Sequence, residues 1–129
     1  MSGEIALDTS VAIRYLNGDS SLIEKLSNLS EVFLPTVVVG ELLYGALNSF
    51  RSAQNYPKFL DFINSCTVKP LIQNDALVYA EIKLYLKNKG RPIPTNDIWI
   101  AAQCFSQNWV LISDDSDFTY IDNLCLERW

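Results

Sequence analysis

The sequence predicts an α/β fold whose central sheet is mainly parallel and has four to five strands. Short apolar segments alternate with segments that carry apolar residues at helical spacing. Hydrophobic residues make up 49% of the 129 residues, which is enough for a substantial core in one domain. Because strands separated by helices usually pair in parallel, we expect the sheet to be covered on both faces.

Strands are predicted where a short and mostly apolar segment stands between helix or turn signals. In chain order they are 4–8 (EIALD), 32–35 (VFLP), 66–71 (CTVKPL), 109–113 (WVLIS) and 124–127 (LCLE). Pro70 cannot donate a backbone hydrogen bond, so it places the third strand at an end or an edge of the sheet.

Helices are predicted where apolar residues recur at intervals of three and four. In chain order they are 10–17, 20–30, 36–50, 55–64, 75–88 and 95–108. Asp19 or Ser20 is the expected N-cap of the second helix. Gly90 and Pro92 close the fifth helix.

Three features favour a cytoplasmic protein without a membrane span. The start, MSGEIALD, lacks the basic and apolar regions of a signal peptide. Residues 32–50 carry one charge, Glu41, but a carboxylate at a bilayer centre costs about 3 kcal/mol, and Pro35 divides the segment into a strand and a helix. Cys66, Cys104 and Cys125 are odd in number and widely spaced, as expected of reduced, buried thiols.

The composition excludes several classes of function. The chain has no histidine, which removes the Ser-His-Asp and Cys-His nucleophile systems and argues against a zinc site. The formal net charge of −5 repels nucleic acid at long range and counts against a simple sequence-reading DNA binder. It does not exclude an enzyme that reaches phosphate through a bound cation.

Two acids are predicted to follow strands. Asp8 ends the first strand, at the carboxyl edge where parallel sheets form their sites, although a helix N-cap explains it as well. Asp115 lies in ISDDSDF (112–118), just past the fourth strand. An acidic surface turn is the alternative for Asp115, and Asp114 and Asp117 compete for the same role.

Two further acids stand on apolar helices. Glu41 lies inside TVVVGELLYGAL, and Val39 occupies the place where a capping box from Thr36 would need Glu or Gln. Asp97 stands near the start of its helix, with Thr95 or Asn96 as the expected cap, where the helix dipole favours an acid by about 0.3–1 kcal/mol. It also heads the core-facing stripe that continues through residues 100, 101, 104 and 105.

The combination of Asp8, Glu41, Asp97 and Asp115 indicates a cation site. Two carboxylates 4 Å apart repel by about 4 kcal/mol at an effective dielectric constant of 20, so four together need protons or a cation. No lysine or arginine lies within five residues of Glu41 or Asp97. Carboxylates without histidine or thiolate neighbours suit Mg²⁺ or Mn²⁺.

Four segments in register, LDTSVAIRYL, VVVGELLYGA, GRPIPTNDIWIAA and LISDDSDF, resemble the PIN-domain ribonucleases. The resemblance is greatest to the VapC-like toxins of type II toxin–antitoxin pairs, and it runs from about residue 5 to the final LERW. It implies a single nuclease domain over residues 1–129, built as a three-layer α/β/α sandwich. It also implies RNA as the substrate, a homodimer and an antitoxin as protein partner.

The resemblance implies roles for individual residues. Asp8 and Asp97 would be the main ligands of Mg²⁺ or Mn²⁺, Glu41 would act directly or through water, and Asp115 would be the fourth acid. Ser113 stands where the family often has a small hydroxyl residue. The hypothesis is metal-dependent hydrolysis of RNA, in which Glu41 or Asp115 orients the attacking water or takes its proton.

The sequence leaves two interpretations for each group of residues that would contact the RNA. The basic segment 86–91 (LKNKGR), with Lys83, would contact phosphate or be a solvated helix end. Trp99 and Tyr44 would stack on bases or belong to the core.

Other functions remain as alternatives. A haloacid-dehalogenase-like phosphatase would need an acid where Ser10 stands. A receiver-like signalling module would need an acid pair after the first strand and an acceptor aspartate after a middle strand. A catalytically silent nuclease fold that binds a partner or RNA fits the same acids.

Overall fold

The computed structural model describes residues 3–129. Five strands lie within them: β1 (Ile5–Leu7), β2 (Phe33–Leu34), β3 (Thr67–Val68), β4 (Val110–Ile112) and β5 (Leu126–Glu127). The helices are α1 (Thr9–Leu16), α2 (Ser20–Ser27), α3 (Thr36–Leu47), α4 (Ser52–Ser65), α5 (Gln73–Asn88) and α6 (Thr95–Gln107). A 3-10 helix spans Ser116–Tyr120.

All the strands run parallel, in the order β3-β2-β1-β4-β5. The chain first builds outward from β1 through β2 to β3, and it then returns to place β4 on the other side of β1. Ala6 pairs with Leu111 across this junction. The strand order therefore switches between β1 and β4, which is where open parallel sheets form ligand sites.

The central strands are buried on both faces. Ala6 and Leu7 in β1, and Leu111 and Ile112 in β4, have no exposed surface. Successive residues of a strand point to opposite faces, so both faces must be covered. The α/β sandwich expected from the sequence is confirmed.

Every predicted strand and helix is present, and the differences lie at their ends. The third strand is two residues long, because the chain leaves the sheet before Pro70. It is an edge strand, as predicted. Helix α4 begins at Ser52, three residues earlier than predicted, where polar residues gave no periodic signal. The 3-10 helix was not predicted.

The helix caps were predicted with mixed success. Asp19 caps α2 by accepting from Leu22 N–H. Helices α3 and α6 instead begin directly after Pro35 and Pro94, so Thr36 and Thr95 are their first helical residues and neither is a cap. The prediction of Thr95 or Asn96 as the cap of α6 was wrong, because the extended backbone of Pro94 already sets the turn into the helix.

A glutamine replaces the missing cap of α3. Gln103, on α6, is fully buried and accepts from Thr36 N–H at 3.0 Å. Its amide nitrogen donates to Lys69 O at 2.8 Å. Gln103 therefore fastens the start of α3, the helix of Glu41, to α6, the helix of Asp97.

Within residues 3–129 no helix is both long and apolar enough to cross a bilayer. The three cysteines are free thiols. Burial raises the pKa of Cys66 to about 11 and raises the pKa of Cys104 as well. Cys125 is exposed, so the expectation of three buried thiols was wrong for this residue.

Candidate active site

An acidic pocket lies beyond the carboxyl ends of β1 and β4. Its volume is about 230 Å³, and it is lined by Asp8, Thr9, Ser10, Ile13, Glu41, Asp97 and Asp115. The four acids singled out in the sequence therefore come together from β1, α3, α6 and the turn after β4. These segments are up to 107 residues apart in the chain.

Asp8 is the most enclosed acid of the pocket, with 4% of its surface exposed. It caps α1, because its Oδ1 accepts from Val11 N–H at 2.9 Å. Ser113 Oγ donates to Oδ2 at 2.5 Å, and Ser10 Oγ donates to both carboxylate oxygens. Burial raises the pKa of Asp8, and these hydrogen bonds oppose the rise. The N-cap role and a site role are thus compatible.

Glu41 is half-buried and held between two polar side chains. Thr9 Oγ1 donates to Oε1 at 2.5 Å, and Asn96 Nδ2 donates to Oε2 at 3.3 Å. Thr9 was not singled out from the sequence, and Asn96 was considered only as a cap of α6, although each stands beside an acid in the chain. Those positions next to Asp8 and Asp97 are the signal that could have found them.

Asp97 is the third residue of α6 and is half-buried. Its pKa is raised to about 6, first by burial and then by the negative charges of Asp115, Glu41, Asp117 and Asp8. The mutual repulsion expected from the sequence is therefore present. The negative charges of the four other carboxylates of the site all act on Asp97.

Asp115 and Asp117 complete the wall of acids. One carboxylate oxygen from each lies within 4.8 Å of one from Asp97 and of the other. Asp115 Oδ1 also accepts from Asp117 N–H at 2.9 Å, and this contact starts the 3-10 helix. Asp117, considered a competitor of Asp115 in the sequence, instead stands beside it.

Asp114 turns away from this cluster. Its carboxylate pairs with Arg14 Nη1 at 2.5 Å, and the same guanidinium binds Asp19 Oδ2 at 2.9 Å. Arg14 Nη2 also donates to Trp129 O at 3.1 Å. Asp114 therefore serves an ion-pair network on the side of α1, which separates it from Asp115.

The side chains considered for contact with RNA differ in whether other residues already cover them. Trp99 stacks on Tyr79 with ring centroids 4.0 Å apart, which places it between α5 and α6. Lys89 contacts Tyr85, Tyr120 O and, at 3.9 Å, Asp122. These contacts support the reading of the basic segment as a helix end. Tyr44 is largely exposed beside the acidic pocket.

The donor set fits a hard divalent cation. Five carboxylates, Asp8, Glu41, Asp97, Asp115 and Asp117, meet in or beside one pocket. Within the described part of the chain, no lysine or arginine forms an ion pair with any of them. A cation from solution is the remaining way to neutralise them without protons.

The parallel sheet and this acidic pocket define an α/β protein with a carboxylate-lined pocket at its topological switch point. Residues 5–124 match the family model of the PIN domain. The chain belongs to the PIN-domain family and, within it, to the group of VapC proteins.

Individual relatives are similar over almost the whole chain. The chain is 33% identical to Ribonuclease VapC1 of Haemophilus influenzae and 29% identical to Ribonuclease VapC2 of Rickettsia felis. Each alignment covers 95% of this chain and 96% of the relative. Among solved structures, VapBC2 from Rickettsia felis bound to a DNA fragment from their promoter superposes with a TM-score of 0.91 at 26% identity. That match covers 97% of this chain and 98% of the other.

Proposed function

We propose that the protein is an endoribonuclease toxin of a toxin–antitoxin pair that hydrolyses RNA phosphodiester bonds with the help of a divalent cation. One observation carries the proposal: acids from four separate segments meet in a pocket where no side chain of the described chain neutralises them. Membership of the VapC group supports it, since the relatives are named ribonucleases. We take residues 1–129 as one nuclease domain.

The proposed ligands of Mg²⁺ or Mn²⁺ are Asp8, Asp97 and Asp115, with Glu41 acting directly or through water. Bound there, such a cation supplies charge neutralisation for phosphate and lowers the pKa of a coordinated water. Asp117 adds a carboxylate within reach of Asp97 and Asp115. Hard oxygen donors are what both cations prefer.

The protein's own groups prepare the hydrolysis. Ser113 and Val11 N–H hold the Asp8 carboxylate in one orientation. Thr9 and Asn96 hold Glu41 at the pocket wall, where its carboxylate can orient the attacking water or accept its proton. Asp115 is the second candidate for this proton transfer. The reaction breaks a P–O bond of the RNA backbone and forms one to the water oxygen.

The partner proposal follows from the solved complexes and from charge. VapBC-5 from Mycobacterium tuberculosis, one of the structural relatives, is a member of the VapBC family of toxin–antitoxin systems, and we propose an antitoxin for this chain too. An inhibitor that places Arg or Lys among the acids would compete with the cation. We further propose a homodimer that acts in the cytoplasm, where RNA is available and free thiols persist.

Cleavage of single-stranded RNA tests the function. Purified protein is incubated with RNA and Mg²⁺ or Mn²⁺, and the reaction is repeated with EDTA and with Asp97→Asn. We expect cutting that both changes abolish, whereas Asp61→Asn, which alters an exposed acid on α4, keeps full activity. Cutting that survives EDTA and Asp97→Asn would refute the mechanism. Cation binding without any cutting would favour a silent binding module.

A further inference from the structure

A second pocket adjoins the acids, and we call it the Tyr44 pocket. It is lined by Thr9, Val37, Gly40, Glu41, Tyr44 and Asn96, and its volume is about 580 Å³. Thr9 and Glu41 line the acidic pocket as well, so the two pockets are direct neighbours. A polymer whose backbone reached the acids would therefore have room for a neighbouring group on α3.

Tyr44 is free to stack. Its side chain is 68% exposed, and within residues 3–129 it makes no hydrogen bond and no ring contact. Trp99, the other aromatic side chain considered for stacking on a base, is covered by Tyr79, with ring centroids 4.0 Å apart. Tyr44 is thus the aromatic ring beside the acids that offers an uncovered face.

Gly40 keeps that face open. It stands one helical turn before Tyr44, and both residues line the pocket. A Cβ built on Gly40 has nothing within 4 Å, so packing does not demand glycine there. Glycine inside a helix costs about 1 kcal/mol relative to alanine. A larger side chain at Gly40 would project into the pocket that Gly40 lines, so the glycine leaves this space open.

The polar groups of the pocket select a neutral ligand. Glu41 contributes a negative charge, and no lysine or arginine lines the pocket, so a phosphate would be repelled. Asn96 donates its amide N–H to Glu41 and leaves its carbonyl oxygen without a donor within the described chain. A flat, neutral group that carries N–H donors matches these walls.

We propose that the Tyr44 pocket holds one base of the RNA, stacked on Tyr44, next to the phosphate that is cut. The proposal rests on the proposed ribonuclease function. Stacking on an aromatic side chain contributes about 1–3 kcal/mol per base, which corresponds to roughly 5- to 150-fold in affinity. The pocket thereby fixes the register of the strand over the acids.

The test compares Tyr44 variants on short RNA substrates that contain one cleavage site. Tyr44→Ala should raise KM about 10-fold or more while kcat changes little, and Tyr44→Phe should behave as the wild type, because the ring is kept. A set of substrates then carries one abasic nucleotide at each position around the cut. At one position the abasic substrate should raise KM for the wild type and should cause no additional loss with Tyr44→Ala.

Two matched pairs of variants control the test. Gly40→Leu should block the pocket and raise KM, whereas Gly45→Leu, at a glycine of the same helix with equally open space outside the pocket, should not. Phe50→Ala removes a fully exposed aromatic side chain just beyond α3 and should leave KM unchanged. Binding of uncut RNA to the Asp97→Asn protein gives the same comparisons without turnover.

The outcomes separate this inference from the function it rests on. No cutting of RNA by the wild type, together with no binding, would defeat the ribonuclease proposal itself. Normal cutting with an unchanged KM in Tyr44→Ala would defeat the base pocket alone. Equal loss of activity in Tyr44→Ala and Phe50→Ala, with loss of the oligomer on a sizing column, would assign this face to a protein partner and also overturn the inference.

Discussion

Ser113 Oγ donates to Asp8 Oδ2 at 2.5 Å and accepts from Asp115 N–H at 3.0 Å. One hydroxyl therefore joins the residue after β1 to the turn after β4. Both contacts lie where the strand order switches, so Ser113 fixes the position of two proposed ligands at once.

Ser113→Ala should weaken the site more than the fold. It removes a hydrogen bond that lowers the pKa of Asp8, so the pKa of that buried acid should rise further. We expect about 10-fold lower cleavage at a fixed cation concentration, and a loss of about 1–2 kcal/mol in the free energy of unfolding. Ser113→Thr, which keeps the hydroxyl, serves as the control. Unchanged cleavage in Ser113→Ala would contradict the role of this contact.

Asp114 and Asp115 should respond oppositely to removal of their charge. Asp115→Asn is expected to lower cleavage about 100-fold, because it takes a proposed ligand from the pocket. Asp114→Asn should leave cleavage within about 3-fold. It should change the free energy of unfolding by no more than about 1 kcal/mol, since its ion pair with Arg14 is partly exposed. Single-turnover cleavage and urea unfolding provide the two measurements. The reverse ranking would show that the wrong acid was assigned.

The cation-free protein should lose stability as pH rises from about 4 to 6. The pKa of Asp97 is raised from 3.8 to about 6 in the folded protein, so the folded state binds more protons than the unfolded state across this window. The free energy of unfolding then falls with rising pH. Melting curves in EDTA for the wild type and Asp97→Asn isolate the effect of Asp97 together with its repulsion by the neighbouring acids, because acids elsewhere in the protein contribute equally to both. With rising pH, the stability of the wild type should decline relative to that of the variant. If stability changes with pH equally in both proteins, the raised pKa of Asp97 is excluded.

Gln103→Leu should destabilise the protein by about 1–2 kcal/mol, because it leaves the partly buried Thr36 N–H without its acceptor. Since Gln103 also fastens α3 to α6, the cation concentration needed for half-maximal cleavage should rise as well. Leucine in place of the exposed Gln54 on α4 controls for the gain in apolar character. Urea unfolding and cation titrations report the two effects. A variant as stable as the wild type would rule out this cap.

Much of the fold could be predicted from the periodic spacing of apolar residues in the sequence. The apolar stripe of α6 was correctly assigned for Ile100, Ala101 and Cys104, which are buried, because helical spacing is a local property. Its last predicted member, Phe105, is 44% exposed, so the prediction was wrong there. The ends of the helices were harder to predict from the sequence. Neither Pro35 nor Pro94 caps its helix with a side chain, and the side-chain acceptor at the start of α3 is Gln103 of another helix, whereas a sequence pattern favours local side-chain caps.

The acidic site, like the fold, could be predicted only in part from the sequence. The positions of Asp8 and Asp97 relative to a strand end and a helix start identified them as candidates. The hold of Thr9 and Asn96 on Glu41 was not visible, since each contact joins separate segments of the chain. Hydrogen bonds between distant segments leave no periodic trace in the sequence.

The sequence by itself determined the alternation of strands and helices, and hence that acids at strand ends and on apolar helices would gather at one edge of a parallel sheet. Only the tertiary structure decided between the neighbouring acids of the turn after β4. Arg14, 100 residues away, draws Asp114 to the side of α1, and this leaves Asp115 and Asp117 facing Asp97. The reason is physical: an irregular turn has no fixed side-chain period, so the direction of each carboxylate is set by the charge that it meets in space.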